Sequence, residues 1–337
     1  MTETTTALER HWASPEWRAE VLAWIDDALA AHGIARTGEV EQPRLRMWAT
    51  SLTVPTDRGR FWFKENCPGQ AFEAGLVDVL ARLVPDQVVP PLAVQVGRGW
   101  MLSPDHGAVL GSLDRTDEAM WTRVVTEYAD LQRATVDHRD ELVGAGLDPV
   151  LPAGAADHLA HRLDALGALP VGHPRRIEPA LNKRLNRGLP RLAELGTLLA
   201  DGPVPCALDH NDLHHNNAFL PVAGETRLRF FDFGDAVWAH PFGSMRVTLN
   251  VITDEWKVGD DDPAVRRIVD AYLERWSDLA PVAELRPLFD AALVLARLHR
   301  FVSWERCLVD VRPEEMGDWG ESPVMWLERL AEALDVA

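Results

Sequence analysis

Hydrophobic and polar residues follow two different periods along this chain, and strand-like segments come early. Between residues 15 and 31 the apolar side chains recur at the spacing of one helical face, which predicts an N-terminal amphipathic helix. Two short segments rich in aromatic and β-branched residues follow, Leu45–Val54 and Arg60–Lys64. The Pro, Asp and Gly residues between them favour a turn, so the pair predicts an antiparallel hairpin.

A helix and two more strands extend this region. The range Gln70–Leu83 has helical spacing, and a proline-rich break separates it from the strand-like segments Leu92–Val96 and Trp100–Leu102. Strands followed by a helix and further strands predict a small α+β lobe.

Beyond Ser112 the spacing of apolar residues is mainly helical. It predicts helices over Thr116–Thr135, Ala155–Leu166, Arg176–Leu199, Phe242–Trp256, Pro263–Trp276, Val282–Cys307 and Pro323–Leu334. The change of period places a lobe boundary near residues 103–114. We therefore expect a tail and helix over residues 1–34, a small lobe over 35–107 and a larger lobe over 108–337.

The composition of the chain limits the classes of protein to which it can belong. The chain has 337 residues, 47% of them hydrophobic, which is enough for a large core or two lobes. Its formal charge of −18 argues against nucleic acid or an anionic membrane as a partner and would attract a cationic substrate, although the same acidity also keeps proteins dispersed. The sequence has no apolar run of about 18 residues and no secretory signal pattern, which predicts a cytoplasmic protein.

The strongest chemical signal is a pair of motifs in the second lobe. His210, Asp212 and Asn217 form the pattern His-x-Asp-x-x-x-x-Asn, and Asp232 opens an Asp-Phe-Gly triplet after a short apolar segment. In isolation such residues are common turn formers. Here apolar segments flank the loop, and they predict a hairpin with Asn217 and Asp232 at one edge.

These motifs match the needs of phosphoryl transfer from ATP to a hydroxyl group. Asp212 is the candidate catalytic base, because a carboxylate must take or direct the proton of the acceptor. Asn217 and Asp232 are the candidate Mg²⁺ ligands, because Mg²⁺ prefers hard oxygen donors. His210 belongs to the same catalytic group as a support that shapes the loop by hydrogen bonding.

The segment Leu208–Leu220, with Asp232 downstream, resembles the aminoglycoside phosphotransferase family of small-molecule kinases, which includes choline, homoserine and macrolide kinases. The resemblance extends from the hairpin near residue 45 to the last helix, although only the central motifs are specific. It implies a bilobal protein-kinase-like α+β fold. The small antiparallel-sheet N-lobe, residues 35–107, would bind the nucleotide, and the larger helical C-lobe, residues 108–337, would carry the catalytic and substrate-binding residues. It also implies the same roles for Asp212, Asn217 and Asp232. Asn211 departs from the family pattern, where Gly is commoner.

In that family a strand lysine pairs with a helix glutamate and contacts the α- and β-phosphates. The resemblance therefore makes Lys64, at the end of an apolar strand, and Glu73, on the following helix, the candidates for this pair. Glu65 is a rival partner for Lys64.

The sequence gives weaker evidence for the other residues that would contact the nucleotide. No glycine-rich phosphate loop is present, so backbone amides and the hydroxyl of Thr50 or Ser51 are the candidate phosphate contacts. Adenine is expected against the segment that joins the lobes, which includes Met101 and Ser103.

The acceptor is the least determined part of the prediction. An aminoglycoside or another amino sugar fits the acidity, and a choline-, homoserine- or macrolide-like metabolite fits the fold equally well. Candidate substrate contacts are the aromatic and acidic residues near the C-terminus: Trp304, Glu305, Glu314, Glu315, Asp318, Trp319 and Glu321. Asp235 is expected either to orient the magnesium loop or to cap the next helix.

Two other functions compete with a kinase. His210, His214 and His215 form a dense group that could hold zinc or iron in a metal-dependent hydrolase. A kinase-like binding protein without catalysis is the second alternative, and the presence of Lys64 and Asp232 argues against it.

Overall fold

A five-stranded antiparallel sheet forms the first lobe of the computed structural model, which describes residues 5–335. Its strands are β1 (Glu41–Arg46), β2 (Ala49–Thr56), β3 (Gly59–Asn66), β4 (Ala93–Gln95) and β5 (Trp100–Pro104). They lie in the order β1-β2-β3-β5-β4. The helix α3 (Glu73–Leu83; the numbering of helices starts at the N-terminus) connects β3 to β4.

Two N-terminal helices cover the outer face of this sheet. They are α1 (Ala7–Trp12) and α2 (Pro15–Ala31), and α2 has the bounds that the sequence predicts. Its start is fixed by Ser14, whose hydroxyl accepts the backbone N–H of Trp17 at 3.2 Å, and by Pro15 in the first turn. The apolar stripe packs on the sheet and consists of Trp17, Val21, Ile25 and Leu29. The helix is therefore part of the first lobe.

Strand register assigns the two faces of the sheet. Lys64 on β3 lies opposite Ser51 on β2 and Met101 on β5, so these side chains share one face. Phe63 and Leu102 are paired on the other face, where both are fully buried beneath α2. The face that carries Lys64 is directed toward the second lobe.

The hairpin predicted over residues 45–64 differs in one respect. The segment Leu45–Val54 is not one strand, because β1 ends at Arg46 and β2 begins at Ala49. Met47 and Trp48 form the turn between them. Their apolar side chains continue the strand-like pattern, but they pack on the second lobe instead of the sheet. This tertiary contact is what the local pattern could not reveal.

The second lobe is mainly helical. Its helices are α4 (Glu118–Thr135), α5 (Arg139–Gly144), α6 (Ala155–Gly167), α7 (Pro179–Ala200), α8 (Met245–Trp256), α9 (Pro263–Glu274), α10 (Val282–Cys307) and α11 (Ser322–Asp335). The seven predicted helices are present, and α5 is an addition. Within residues 5–335, none of the helices is long and apolar enough to cross a membrane. The predicted α+β class, with an antiparallel first lobe and a helical second lobe, is confirmed.

Two short strand pairs lie between α7 and α8. In one pair β6 (Ala207–Asp209) runs antiparallel to β9 (Val237–Ala239), and in the other β7 (Ala218–Phe219) runs antiparallel to β8 (Arg229–Phe230). Asn217 immediately precedes β7, and Asp232 follows β8. The backbone N–H of Phe231 donates to the backbone O of Asn217 at 3.1 Å. The hairpin therefore brings Asn217 and Asp232 to the same edge, as the sequence predicts.

Candidate active site

The loop after β6 is anchored by a buried carboxylate. Asp209 accepts the backbone N–H of Asn211 at 2.8 Å and the hydroxyl of Ser244 at 2.7 Å. Its second oxygen accepts from His299 Nδ1 at 2.9 Å. Ser244 lies at the start of α8 and His299 lies on α10, so two distant helices hold the loop in one conformation.

His210 lies beneath this loop and has no exposed surface. Its Nε2 donates to the backbone O of Phe231 at 3.0 Å, and its ring centroid lies 4.9 Å from that of Phe233. Burial lowers the pKa of His210 and outweighs the opposing effect of Asp212. The imidazole therefore links the two motifs through a hydrogen bond and packing.

Asp212 and Asn217 are joined by the side-chain amide of Asn217. Its Nδ2 donates to the backbone O of Asp212 at 2.9 Å and to Oδ2 of the same residue at 3.3 Å. Because the amide nitrogen is engaged on Asp212, the amide oxygen of Asn217 is the atom left to bind a metal ion. His214 lies on the other side, with Nε2 at 3.5 Å from Asp212 Oδ2.

Lys64 connects the sheet to the second motif. Its Nζ lies 2.6 Å from Glu73 Oε2 and 2.5 Å from Asp232 Oδ1. Glu73 also accepts the backbone N–H of Phe233 at 2.9 Å. Burial lowers the pKa of Lys64, but the two carboxylates outweigh burial and raise it above its usual value. The ammonium group therefore stays charged at the centre of the cleft.

Glu65 is not the partner of Lys64. Its carboxylate lies on the opposite face of the sheet, where it accepts from the indole N–H groups of Trp17 at 2.8 Å and Trp100 at 2.7 Å. Alternation along β3 separates these two neighbouring side chains.

The other residues predicted to contact the nucleotide lie on both faces of the five-stranded sheet. Ser51, Met101 and Ser103 share the face of Lys64, because their strands pair in register. Thr50 is fully buried on the other face, where its hydroxyl donates to the backbone O of Arg44 at 3.0 Å and accepts from Gln42 Nε2 at 2.8 Å. Thr50 is therefore directed away from the cleft, since neighbouring strand residues point in opposite directions.

Asn217 and Asp232 offer a neutral amide oxygen and a carboxylate at one hairpin edge, which is a donor set that suits Mg²⁺. The three histidines do not form a rival site. Within residues 5–335 no group of three or more His, Cys, Asp or Glu side chains is arranged to hold a metal ion. His210 is engaged on Phe231, and the ring of His215 packs edge-on against Trp121 at 5.1 Å.

Arg300 is a residue of the site that the motifs do not identify. It lies on α10, almost fully buried, and donates to the backbone O of Asn211 at 2.7 Å. Its Nη1 lies 3.5 Å from Asp212 Oδ1. Burial raises the pKa of Asp212, but Arg300 and His214 outweigh it and hold the pKa below its usual range. The only sequence signal was an arginine inside the apolar run of α10.

Asp235 orients the loop after the second motif. It accepts from Gln70 Nε2 at 3.0 Å and from the hydroxyl of Ser303, and it lies 3.4 Å from Arg300 Nη1. It does not cap the next helix, because β9 follows it and α8 begins only at Met245. The expected cap is therefore wrong, and the contacts of Asp235 hold the loop that follows Asp232.

The predicted substrate contacts do not form one acidic pocket. Glu305 and Glu315 are buried and paired with arginines, Glu305 with Arg162 at 2.5 Å and Glu315 with Arg10 at 2.8 Å. Trp304 and Trp319 stack on each other instead, with ring centroids 5.5 Å apart. Among the described residues, the large cavity next to His214 is lined by none of the seven candidates.

That cavity has a volume of about 1030 Å³. His214 and His215 of the catalytic loop form one wall, and α8, α10 and α11 form the others. The lining includes three arginines, Arg246, Arg297 and Arg329. His214 therefore lies between the cavity and the candidate base, because its Nε2 is 3.5 Å from Asp212 Oδ2.

No model of a protein family matches the chain, and no curated protein matches it by sequence. Solved structures do match. An ethanolamine kinase from Plasmodium vivax superposes with a TM-score of 0.61 at 11% identity, over 87% of this chain and 82% of that one. The choline kinase LicA from Streptococcus pneumoniae gives 0.60 at 15% identity, over 94% and 100%. The chain shares their fold.

A third structure is that of wild-type aminoglycoside 2'-phosphotransferase-IIIa in complex with GDP. It superposes with a TM-score of 0.56 at 16% identity, over 92% of this chain and 98% of that chain. Likeness at this level of identity establishes the bilobal architecture of small-molecule kinases. The fold implied by the family resemblance is thereby confirmed, and activity has to be argued from the site.

Proposed function

We propose that the protein is an ATP- and Mg²⁺-dependent phosphotransferase that moves the γ-phosphate of ATP to a hydroxyl group of a small molecule. The observation that carries this proposal is the convergence of Asp212, Asn217 and Asp232 with the Lys64–Glu73 ion pair across one cleft. Positioning and charge neutralisation are the main requirements of phosphoryl transfer, and this arrangement supplies both.

Each polar group has a role in this proposal. Asp212 accepts the proton of the acceptor hydroxyl while the hydroxyl oxygen bonds to the γ-phosphorus and the bond to the leaving oxygen of ADP breaks. Asn217 and Asp232 would hold Mg²⁺, which supplies positive charge next to the phosphates when bound. Lys64 places its ammonium group on the phosphates, and Glu73 holds it there.

The nucleotide would lie against the face of the sheet that carries Lys64. Ser51, Met101 and Ser103 share that face and remain the candidate contacts, whereas Thr50 is left out of the proposal because it points to the other side. The GDP bound to the structurally similar aminoglycoside phosphotransferase supports a nucleotide in this cleft.

The acceptor in this proposal is a small-molecule alcohol. The similar structures are kinases of choline, ethanolamine and aminoglycosides, which share hydroxyl acceptors but differ in size and shape. A kinase-like binding protein would bind the nucleotide without consuming it. Release of ADP that depends on an added acceptor separates this alternative from the enzyme.

The proposal is tested by the thermal unfolding midpoint with ATP or GTP, in the presence of Mg²⁺ or of a chelator. We expect a nucleotide to stabilise the protein by several degrees with Mg²⁺ and much less with the chelator, since binding to the folded state raises stability. Asp232→Asn should reduce the Mg²⁺-dependent part of the shift. Absence of any shift with both nucleotides would contradict the proposal.

A further inference from the structure

The cavity beside His214 is lined by a buried arginine whose hydrogen-bond donors are only partly satisfied. Arg246 on α8 is 6% exposed. Its Nη2 donates to Asn250 at 2.6 Å, and its Nη1 lies 3.8 Å from Asp260. Its Nε has no hydrogen-bond partner among the described residues 5–335. A buried cation with an unpaired donor is costly unless a ligand completes its interactions.

Two more arginines line the same cavity. Burial and the nearby Arg246 and Arg329 together lower the pKa of Arg297 to about 10, against the opposing effect of nearby carboxylates. Among residues 5–335, neither Arg297 nor Arg329 has a carboxylate within salt-bridge distance. The guanidinium of Arg329 is held over the ring of Trp326, 4.8 Å from its centroid. The wall therefore brings like charges together, which favours a bound anion.

The carboxylates that line the cavity are either paired with cations or exposed to solvent. Glu255 is paired with Arg115 at 3.3 Å, and Asp254 is paired with Lys257 at 3.0 Å. Asp260, which lies 3.8 Å from Arg246 Nη1, and Glu332 are exposed. Arg246 is therefore the buried charge of the cavity wall, whereas three of the four carboxylates lie at exposed positions.

We propose that this cavity binds the acceptor through an anionic group, a carboxylate or a phosphate ester, held by Arg246 together with Arg297 and Arg329. Arginine matches the planar, bidentate geometry of such groups. His214 lines the cavity and lies 3.5 Å from Asp212, so it marks the side on which the hydroxyl of the same molecule approaches the base. This inference rests on the proposed function and reverses the expectation of a cationic acceptor, which followed from net charge alone.

Anion binding is tested first without turnover. Inorganic phosphate and malonate serve as separate probes, with Mg²⁺ and ADP saturating so that the nucleotide site is occupied. We expect at least one probe to raise the unfolding midpoint of the wild-type protein and to lose this effect in Arg246→Gln, which keeps a hydrogen-bonding side chain but removes the charge. Arg191→Gln, at an exposed position on α7, is the matched control and should retain the effect.

Turnover measurements then test whether the acceptor is anionic and whether its anionic group is a carboxylate or a phosphate ester. Acceptors are compared in pairs that differ in the anionic group: glycerate with glycerol, and ribose 5-phosphate with ribose. We expect faster ADP release with an anionic member, carboxylate or phosphate, and a rise of its KM by roughly 10- to 100-fold in Arg246→Gln. The KM for ATP should stay unchanged.

The outcomes separate the two proposals. If a nucleotide shifts the unfolding midpoint but neither anion does, or if Arg246→Gln keeps the whole anion effect, the anionic subsite is wrong and the kinase proposal stands. If Arg246→Gln does not fold, the same measurements are made on Arg297→Gln, which changes a half-buried position, and are interpreted in the same way. If no nucleotide binds, the kinase proposal fails, and an anion effect lost in Arg246→Gln still supports the subsite.

Discussion

Each of the two motifs contains one residue whose backbone has a positive φ angle. Asn211 and Asp232 both have left-handed conformations, with φ of 60° and 65°. Glycine and asparagine adopt this region most readily, so Asn211 can replace the commoner glycine without altering the turn. The asparagine also adds contacts, because its Nδ2 donates to the backbone O of Asp235 at 3.1 Å and of His299 at 3.0 Å. The departure in the motif therefore strengthens the loop.

The base is tested by Asp212→Asn. The amide preserves shape but cannot accept the acceptor proton in the same way, so we expect kcat to fall by a factor of about 10²–10⁴. The stabilisation by Mg²⁺ and nucleotide should remain, since the replaced carboxylate is not the proposed metal ligand. ADP release and thermal unfolding measured on the same sample check both statements. Unchanged turnover would show that Asp212 is not the base.

At the scale of elements, the β1–β2 turn joins the two lobes. Met47 is buried against Leu308 and Met316 of the second lobe. Trp48 packs edge-on against Trp319 at 5.1 Å and against Trp304 at 6.1 Å. The turn is continuous with the strand that carries Ser51, so its docking fixes one end of the face on which the nucleotide is proposed to lie.

Removal of this contact should destabilise the protein. We expect Trp48→Ala to lower the free energy of unfolding by about 1–3 kcal/mol, because two aromatic pairs and their buried area are lost. Urea denaturation measures the change. Arg46→Ala, an exposed position beside the same turn, is the control and should have little effect. Equal effects of the two substitutions would mean that the aromatic contact does not hold the turn.

At the scale of the whole molecule, buried histidines make stability depend on pH. Burial, together with the nearby His299, lowers the pKa of His240 from 6.5 to about 3. Burial, together with His214 and Arg115, lowers the pKa of His215 to about 4. Below pH 6.5 the unfolded chain therefore binds protons that the folded chain does not. The contribution of these histidines to the free energy of unfolding is fully present above this pH. It is lost as the pH decreases toward their pKa values in the folded state.

We expect the free energy of unfolding to decrease between pH 6.5 and about 4 by up to about 1.4 kcal/mol per pH unit for each such histidine. His240→Asn removes one titrating group and should make the decrease shallower. His161→Asn, at an exposed position on α6, is the matched control. Urea denaturation at several pH values measures the slopes. A slope unchanged by His240→Asn would remove His240 as a cause.

Local patterns determined much of this protein. The apolar stripe of α2 gave its bounds, since a helix that covers a sheet needs one continuous apolar face. The two motifs in the second lobe gave the hairpin that brings Asn217 and Asp232 together, because their flanking strands are local in sequence. The pairing of Lys64 with Glu73 came from the family resemblance, and the distance between them agrees with it.

Other features of the fold and the site depend on residues that lie far apart in the chain, so they become visible only in the folded protein. Strand pairing separated Ser51 from Thr50, and the docking of Met47 and Trp48 divided what looks like one strand. Packing of α8, α10 and α11 around the catalytic loop created the arginine-lined cavity and placed Arg300 beside Asp212. The short motifs of the sequence predict the type of chemistry, because their residues lie close together in the chain. The proposed acceptor site could not be predicted in this way, because its arginines come from separate helices and the net charge does not show where they meet.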